Sequence, residues 1–163
     1  MKRKEFIRNS GGVLLGTVLS PNLIANTNLN CRINLGVIGT GGRGQGIIKI
    51  LNKLSNFNVI GACDTIPFRL QEGFDLIKGN RKAEAFKDYR KLLDDKNIDG
   101  VIISTPLNTH DKIAVDAVDA DKHVYCEKTL AKGASAIARI VNKCKTSKKI
   151  FQTGHQYHSS RLY

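Results

Sequence analysis

Residues 33–38, Ile33-Asn34-Leu35-Gly36-Val37-Ile38, form an uncharged, mostly apolar run that leads straight into Gly39-Thr40-Gly41-Gly42-Arg43-Gly44, a G-x-G-x-x-G turn. A second apolar run closes on Asp64, 20 residues after Gly44. A strand, a glycine turn, a helix start and an acid at that distance leave few folds open. Each glycine has its own physical task. Gly39 permits the tight turn off the strand, Gly41 removes the Cβ that would block a pyrophosphate, and Gly44 lets the helix pack close to the sheet. The helix opening near Gly42 presents unpaired backbone N–H groups and a positive dipole end to phosphates, so Thr40, Gly42 and Arg43 join the three glycines as candidate cofactor contacts. Asp64 stands where a carboxylate accepts hydrogen bonds from both hydroxyls of an adenosine ribose and repels a 2′-phosphate. The layout is that of a dinucleotide site and favours NAD over NADP. Arg69 keeps NADP open, because a nearby guanidinium accommodates a 2′-phosphate.

Beyond this turn, apolar runs and amphipathic segments alternate. Strands are expected at 33–38, 58–63, around 84–86, 99–104, 123–126 and 149–154, and helices at about 43–54, 67–78, 89–95, 110–119 and 131–146. That alternation implies right-handed crossovers and a doubly wound parallel sheet of Rossmann type, an α/β fold in three α/β/α layers over residues 31–163. Ligands of such sheets bind at the carboxyl ends of the strands, near the point where strand order reverses. Gly39, Asp64, Thr105 and Glu127 all fall at strand ends, so four segments distant in the chain are expected to converge on one crevice. No internal repeat or low-complexity linker interrupts the pattern.

At 163 residues, with 41% hydrophobic and 25% charged side chains, the chain suits one soluble domain with a proper core. Its formal charge of +12 raises the question of nucleic acid, but Lys2, Arg3, Lys4, Glu5 and Arg8 supply +3 of it, leaving +9 for the rest. Elsewhere the lysines are scattered without the interleaved aromatics that base stacking needs, so no nucleic-acid partner is expected. A basic surface that attracts an anionic cofactor or partner accounts for the charge. The cysteines at 31, 63, 126 and 144 show neither C-x-x-C spacing nor paired histidines. Neither a metal site nor a disulfide is expected.

The first thirty residues read as a leader. Arg3-Lys4-Glu5-Phe6-Ile7-Arg8 precedes the uncharged run Gly11-Gly12-Val13-Leu14-Leu15-Gly16-Thr17-Val18-Leu19, then Ser20-Pro21 and a polar stretch to Asn30. The apolar run falls short of the ~20 residues that span a bilayer, so stable membrane insertion is not expected. The segment resembles a twin-arginine export signal, with Lys4 in place of the second arginine, and implies a periplasmic or exported protein. That route accepts folded cargo, which suits a protein that folds around NAD in the cytoplasm. A basic amphipathic arm on a cytoplasmic protein is the other reading of the same residues.

Two more segments carry chemistry. Val101-Ile102-Ile103-Ser104-Thr105-Pro106-Leu107-Asn108-Thr109-His110 ends a strand in T-P-x-x-x-H, and Lys122-His123-Val124-Tyr125-Cys126-Glu127-Lys128 ends the next in E-K. At these residues, and from about residue 32 to the end, the chain resembles the N-terminal domain of the Gfo/Idh/MocA oxidoreductases, the family of glucose–fructose oxidoreductase and inositol dehydrogenase. The resemblance implies that Thr105, Pro106, Asn108 and His110 lie against the nicotinamide half of the cofactor. It also implies that Lys128, in the place of the family's E-K-P lysine, contacts the substrate oxygen. Hydride removal from a carbinol carbon is coupled to loss of the hydroxyl proton, so an acid/base group there lowers the barrier. A lysine beside a cationic ring in a partly dry crevice is expected to have its proton affinity lowered. Glu127 either orients Lys128 or binds ribose. Thr129 replaces the family's proline, which predicts a less rigid loop. Gly154-His155-Gln156 resembles the family's G-x-[NQ], which puts Gln156 on the nicotinamide side. Other roles stay open: His110 as a helix cap, His123 as a strand-edge residue, and Lys128 as a plain solvated lysine. His155 and His158 are unassigned.

Members of that family continue into an α+β domain that supplies a D-x-x-x-H pair, substrate walls and usually the oligomer interface. The resemblance therefore implies a fragment of a longer, homo-oligomeric parent, to which any activity belongs. Three functions follow from the sequence. The first is the NAD-binding domain of an oxidoreductase acting on a sugar, polyol or glycoside carbinol. The second is an NAD-dependent glycosidase working by transient oxidation and elimination. The third is a non-catalytic dinucleotide-binding subunit.

Overall fold

The computed structural model describes residues 32–77 and 82–159. The leader expected at 1–30, Cys31 and residues 160–163 lie outside the described residues. Six parallel strands make one sheet among the described residues: β1 (Ile33–Ile38), β2 (Phe57–Cys63), β3 (Glu84–Phe86), β4 (Gly100–Ile103), β5 (His123–Cys126) and β6 (Phe151–Thr153). The helices between them are α1 (Gly42–Leu51), α2 (Pro67–Asp75), α3 (Tyr89–Asp94), α4 (Leu107–Asp119) and α5 (Ala134–Thr146). A 3₁₀ turn, Gln156–Ser159, follows β6.

Strand order is β3-β2-β1-β4-β5-β6, so the chain builds outward from β1 in one direction, then crosses back and builds in the other. β1 is hydrogen-bonded to β2 with Ile38 level with Cys63, and to β4 with Ile38 level with Ile103. Adjacent helices leave a crevice at the carboxyl edge where the order reverses. This is the doubly wound Rossmann architecture expected from the alternation of elements.

Alternate residues of the central strands feed two cores, as the period of two requires. Leu35, Val37, Val59 and Ile102 pack with Ile47, Ile48 and Leu51 of α1. On the opposite face, Ile38, Ile60, Val101, Ile103 and Val124 pack with Leu92, Leu93, Ile113, Ala117 and Ile140. Burial of a side chain such as Ile48 or Ile103, both wholly inaccessible, contributes about 1.5–3 kcal/mol. This places the sheet between two helical layers.

Two helix starts differ from the sequence expectation. α4 begins at Leu107 rather than 110, because Pro106 (φ −60°, ψ 144°) is an extended N-cap that releases the next residue into the helix. α5 begins at Ala134 rather than 131, because Gly133 has φ +88° and stands outside helical geometry. Among the described residues no helix is long and apolar enough to cross a membrane.

Candidate functional site

The glycine turn is built by close approach. Gly39 has φ +90°, and a Cβ there would lie 2.8 Å from the backbone of Ser104 and Thr105. A Cβ on Gly44 would overlap the Gly39 carbonyl oxygen, so the first turn of α1 lies directly against the glycine turn. Gly41 meets nothing within 4 Å and faces open space. α1 has no side-chain cap. Its first amide with a backbone partner is Gln45, which donates to the Gly41 carbonyl at 2.9 Å. The amides of Gly42, Arg43 and Gly44 thus make no hydrogen bond within the described residues. Three free donors at a positive helix end, beside a position without a Cβ, fit a diphosphate.

The structure brings Asp64 onto this turn. Its Oδ2 accepts from the Thr40 amide at 2.9 Å and its Oδ1 from the Ile66 amide at 2.9 Å. Each oxygen keeps a further lone pair, so the carboxylate is oriented and still able to accept ribose hydroxyls. Thr40 itself is wholly buried, with Oγ1 donating to the Arg69 carbonyl at 2.8 Å and its methyl against Gly73. Its side chain ties the turn to α2 and is not exposed to a ligand. Arg69 is exposed on α2, with its guanidinium 5.7 Å from the centre of the Phe68 ring.

Across the strand-order reversal, Ser104 Oγ donates to the Gly39 carbonyl at 2.7 Å. Thr105 is half-buried, while Pro106 and Asn108 are exposed. The Thr109 hydroxyl lies 2.8 Å from both the Thr105 hydroxyl and the Pro106 carbonyl, which closes the first turn of α4. His110, only 2% exposed, does not cap that helix. Its Nε2 lies 2.8 Å from the Thr105 carbonyl and its Nδ1 2.9 Å from the Thr129 carbonyl. Both ring nitrogens are therefore engaged by backbone.

The loop after β5 is drawn in from the other side. Arg43 donates to Glu127 Oε1 through Nε at 2.8 Å and Nη2 at 2.6 Å, and Glu127 Oε2 accepts from the Lys128 amide at 3.2 Å. The Glu127 side chain is 7% exposed and that of Arg43 44%. The hydrogen bond to Glu127 holds the Arg43 guanidinium above its ordinary pKa, against the opposing effect of burial. Burial first, and Glu127 second, push the Tyr125 phenol up as well. Lys128 is exposed, and no hydrogen bond or ion pair among the described residues engages its ammonium. The Lys128–Thr129 peptide is cis.

Gly154 fits under the loop, where a Cβ would lie 3.0 Å from the Tyr125 hydroxyl and from the Glu127 Cα. Gln156 is exposed at the start of the 3₁₀ turn. No contact within the described residues draws Gln156 or Asn108 into the network. Reasoning from sequence missed Ser104 and Tyr125, and read Gly154 only as the glycine of G-x-[NQ]. Ser104 carried one usable signal, a small hydroxyl residue at a strand end facing a glycine turn. Among the described residues no group of three His, Cys, Asp or Glu side chains is placed to hold a metal ion.

Comparison with known proteins agrees with this geometry. Residues 33–155 match the family model described as "Oxidoreductase family, NAD-binding Rossmann fold". The chain is 33% identical over 124 residues to an inositol 2-dehydrogenase of Salmonella typhimurium, covering 75% of this chain and 36% of that protein. It is 35% identical over 136 residues to a glycosyl hydrolase family 109 protein of Stenotrophomonas maltophilia, covering 78% and 29%. The crystal structure of myo-inositol dehydrogenase from Lactobacillus casei, in complex with NAD(H) and myo-inositol, superposes with a TM-score of 0.73 at 29% identity, covering 80% of this chain and 38% of that one. The chain thus spans about a third of the length of these relatives. With a Rossmann sheet, a free-amide glycine turn and an oriented acid at the second strand, it belongs to the Gfo/Idh/MocA oxidoreductase family as an NAD-binding domain.

Proposed function

We propose that this chain is the cofactor-binding half of an NAD-dependent dehydrogenase whose substrate is a polyol or sugar carbinol. The carrying observation is the contact network at the carboxyl edge, which ties an exposed, unpaired Lys128 to the turn that presents the free amides of Gly42, Arg43 and Gly44. In this reading those amides and the exposed edge of Arg43 hold the pyrophosphate, and Asp64 holds the adenosine ribose. Thr105, Pro106, Asn108 and Gln156 line the nicotinamide side. The bound nicotinamide supplies the hydride acceptor or donor. Lys128 Nζ takes the hydroxyl proton as the carbinol is oxidised, or returns it in reduction. Of the two roles open to Glu127, its contacts support the orienting one: its Oε1 is held by Arg43 and its Oε2 accepts the Lys128 amide.

The inositol dehydrogenase relatives support a cyclic polyol as substrate class. The family 109 relative supports a second reading, a glycosidase that oxidises the sugar transiently, eliminates the glycosidic bond and reduces the product again. Release of free sugar without net NADH separates the two. Homo-oligomerisation belongs to the remainder of a longer chain, and export rests on the basic and apolar runs at residues 3–19. Periplasmic recovery of a fusion carrying residues 1–30, lost when Arg3 and Lys4 are replaced, tests the latter. Replacing Lys128 by Met in the full-length gene product is expected to abolish turnover with NAD affinity unchanged. Retained turnover removes Lys128 from the mechanism.

A further inference from the structure

Neither ring nitrogen of His110 is left for a cofactor, yet the ring is the buried link between two parts of the site. It sits in the first turn of α4, and its ring spans from the Thr105 carbonyl, at the end of β4, to the Thr129 carbonyl, one residue past Lys128. Among the described residues the backbone of loop 128–132 has little else to fix it: the Lys128 amide bonds only the neighbouring Glu127 side chain, and Leu130 and Ala131 seat the far end of the loop by apolar contact. We propose that His110 is a positioning residue: its Nδ1–H donates to the Thr129 carbonyl and holds the Lys128 loop against the T-P turn. This inference rests on the reading of Lys128 beside the cofactor as the acid/base group, but the ring-¹⁵N arm of its test does not.

The chemistry of the two contacts sharpens the assignment. Both partners are carbonyl oxygens, which accept only. A ring with a proton on each nitrogen satisfies both, whereas a ring with one proton satisfies one. The proposal requires that Nδ1 carry that proton. Side-chain amides separate the two contacts by reach. An asparagine amide overlies Nδ1, so His110→Asn keeps a donor for Thr129. A glutamine amide overlies Nε2, so His110→Gln keeps a donor for Thr105 alone. His110→Phe keeps the shape and removes both.

The test measures how strongly NAD protects the Lys128 amine of the 163-residue chain from an isotope-coded acylating reagent, with exposed Lys49 and Lys145 as internal references. Loss of one hydrogen bond shifts a loop equilibrium by about 3–10-fold. His110→Phe and His110→Gln should therefore lose protection of Lys128 by that factor, with NAD affinity within about twofold of the parent chain. His110→Asn should retain it. Equal protection in all three variants overturns the proposal, and so does equal loss in the Asn and Gln variants. Should the parent chain itself show no protection, it is the reading of Lys128 beside the cofactor that fails. The ¹⁵N shifts of the His110 ring in the unsubstituted chain then decide the link by themselves. A protonated Nδ1 upholds it, and a bare Nδ1 overturns it, including in the event that the Phe variant does not fold.

Discussion

Arg43 and Glu127 are 84 residues apart in the chain and meet at 2.6–2.8 Å, with the carboxylate nearly dry and the guanidinium about half in water. Removing one partner of a fully buried ion pair costs ~3–5 kcal/mol. Water can reach the vacated Arg43 side, so Arg43→Ala is expected to cost about 1–2 kcal/mol in urea unfolding. Adding Glu127→Gln should recover most of that loss, since the residual penalty comes from the stranded charge. A full-strength Arg43→Ala protein would show that the pair contributes nothing. Two thiols give a pH signature. Burial, with Asp64 and Asp88 adding to it, pushes Cys63 up to about 12, and burial with Glu127 pushes Cys126 to about 12, against 9.0 for an unfolded thiol. The folded state holds these protons more tightly, so their contribution is full below about pH 9 and is lost as pH rises through about 12. Thermal midpoints should fall over that window, and Cys63→Ala with Cys126→Ala should flatten the fall. Tyr89, also raised to about 12 by burial and its bond to Asp116, leaves a residual slope of the same sign.

At the scale of single elements, α1 offers a comparison between two of its own glycines. An alanine methyl at Gly44 overlaps the Gly39 carbonyl, whereas one at Gly46 meets nothing within 4 Å. Gly44→Ala is expected to destabilise by about 1–3 kcal/mol through overpacking. It should also weaken NAD binding about tenfold or more as the free amides are displaced, a loss of about 1.4 kcal/mol. Gly46→Ala should stabilise by about 0.5–1 kcal/mol through helix propensity and leave NAD binding unchanged. Equal effects at the two positions would mean that α1 does not rest on the turn. The same elements show what a sequence discloses. β1 and β5 were legible to the residue, because buried parallel strands are apolar runs with sharp polar ends; β3, a three-residue strand with two exposed residues, was placed only approximately. Helix starts were less so. The register of α4 depends on Pro106 acting as an N-cap and that of α5 on the backbone of Gly133, and apolar periodicity reports neither. The candidate site divides along the same line. Gly39, Gly44 and Asp64 announce themselves by local spacing, since their constraints are local. The bonds from Arg43 to Glu127 and from His110 to Thr129 join segments that only the folded sheet brings together.

For the molecule as a whole, the order of the strands is what makes a site. Because growth reverses between β1 and β4, the ends of β1, β2, β4 and β5 present Gly39, Asp64, Ser104 and Glu127 to one edge. Each is then tied to a neighbour: Asp64 to Thr40, Ser104 to Gly39 and Glu127 to Arg43. The fold therefore delivers a cofactor platform before any substrate domain is considered, in keeping with a chain that covers about a third of its dehydrogenase relatives. Asp64 fixes the turn through the Thr40 amide and its own loop through the Ile66 amide, and in the proposed reading its charge selects the coenzyme. The most direct test is titration calorimetry of the folded 163-residue chain with NAD and with NADP, repeated on Asp64→Asn, which keeps the shape and removes the charge. The account predicts binding of NAD in clear preference to NADP by the unsubstituted chain, and a preference that collapses in the variant. No heat with either coenzyme, or a preference that survives loss of the Asp64 charge, would contradict it.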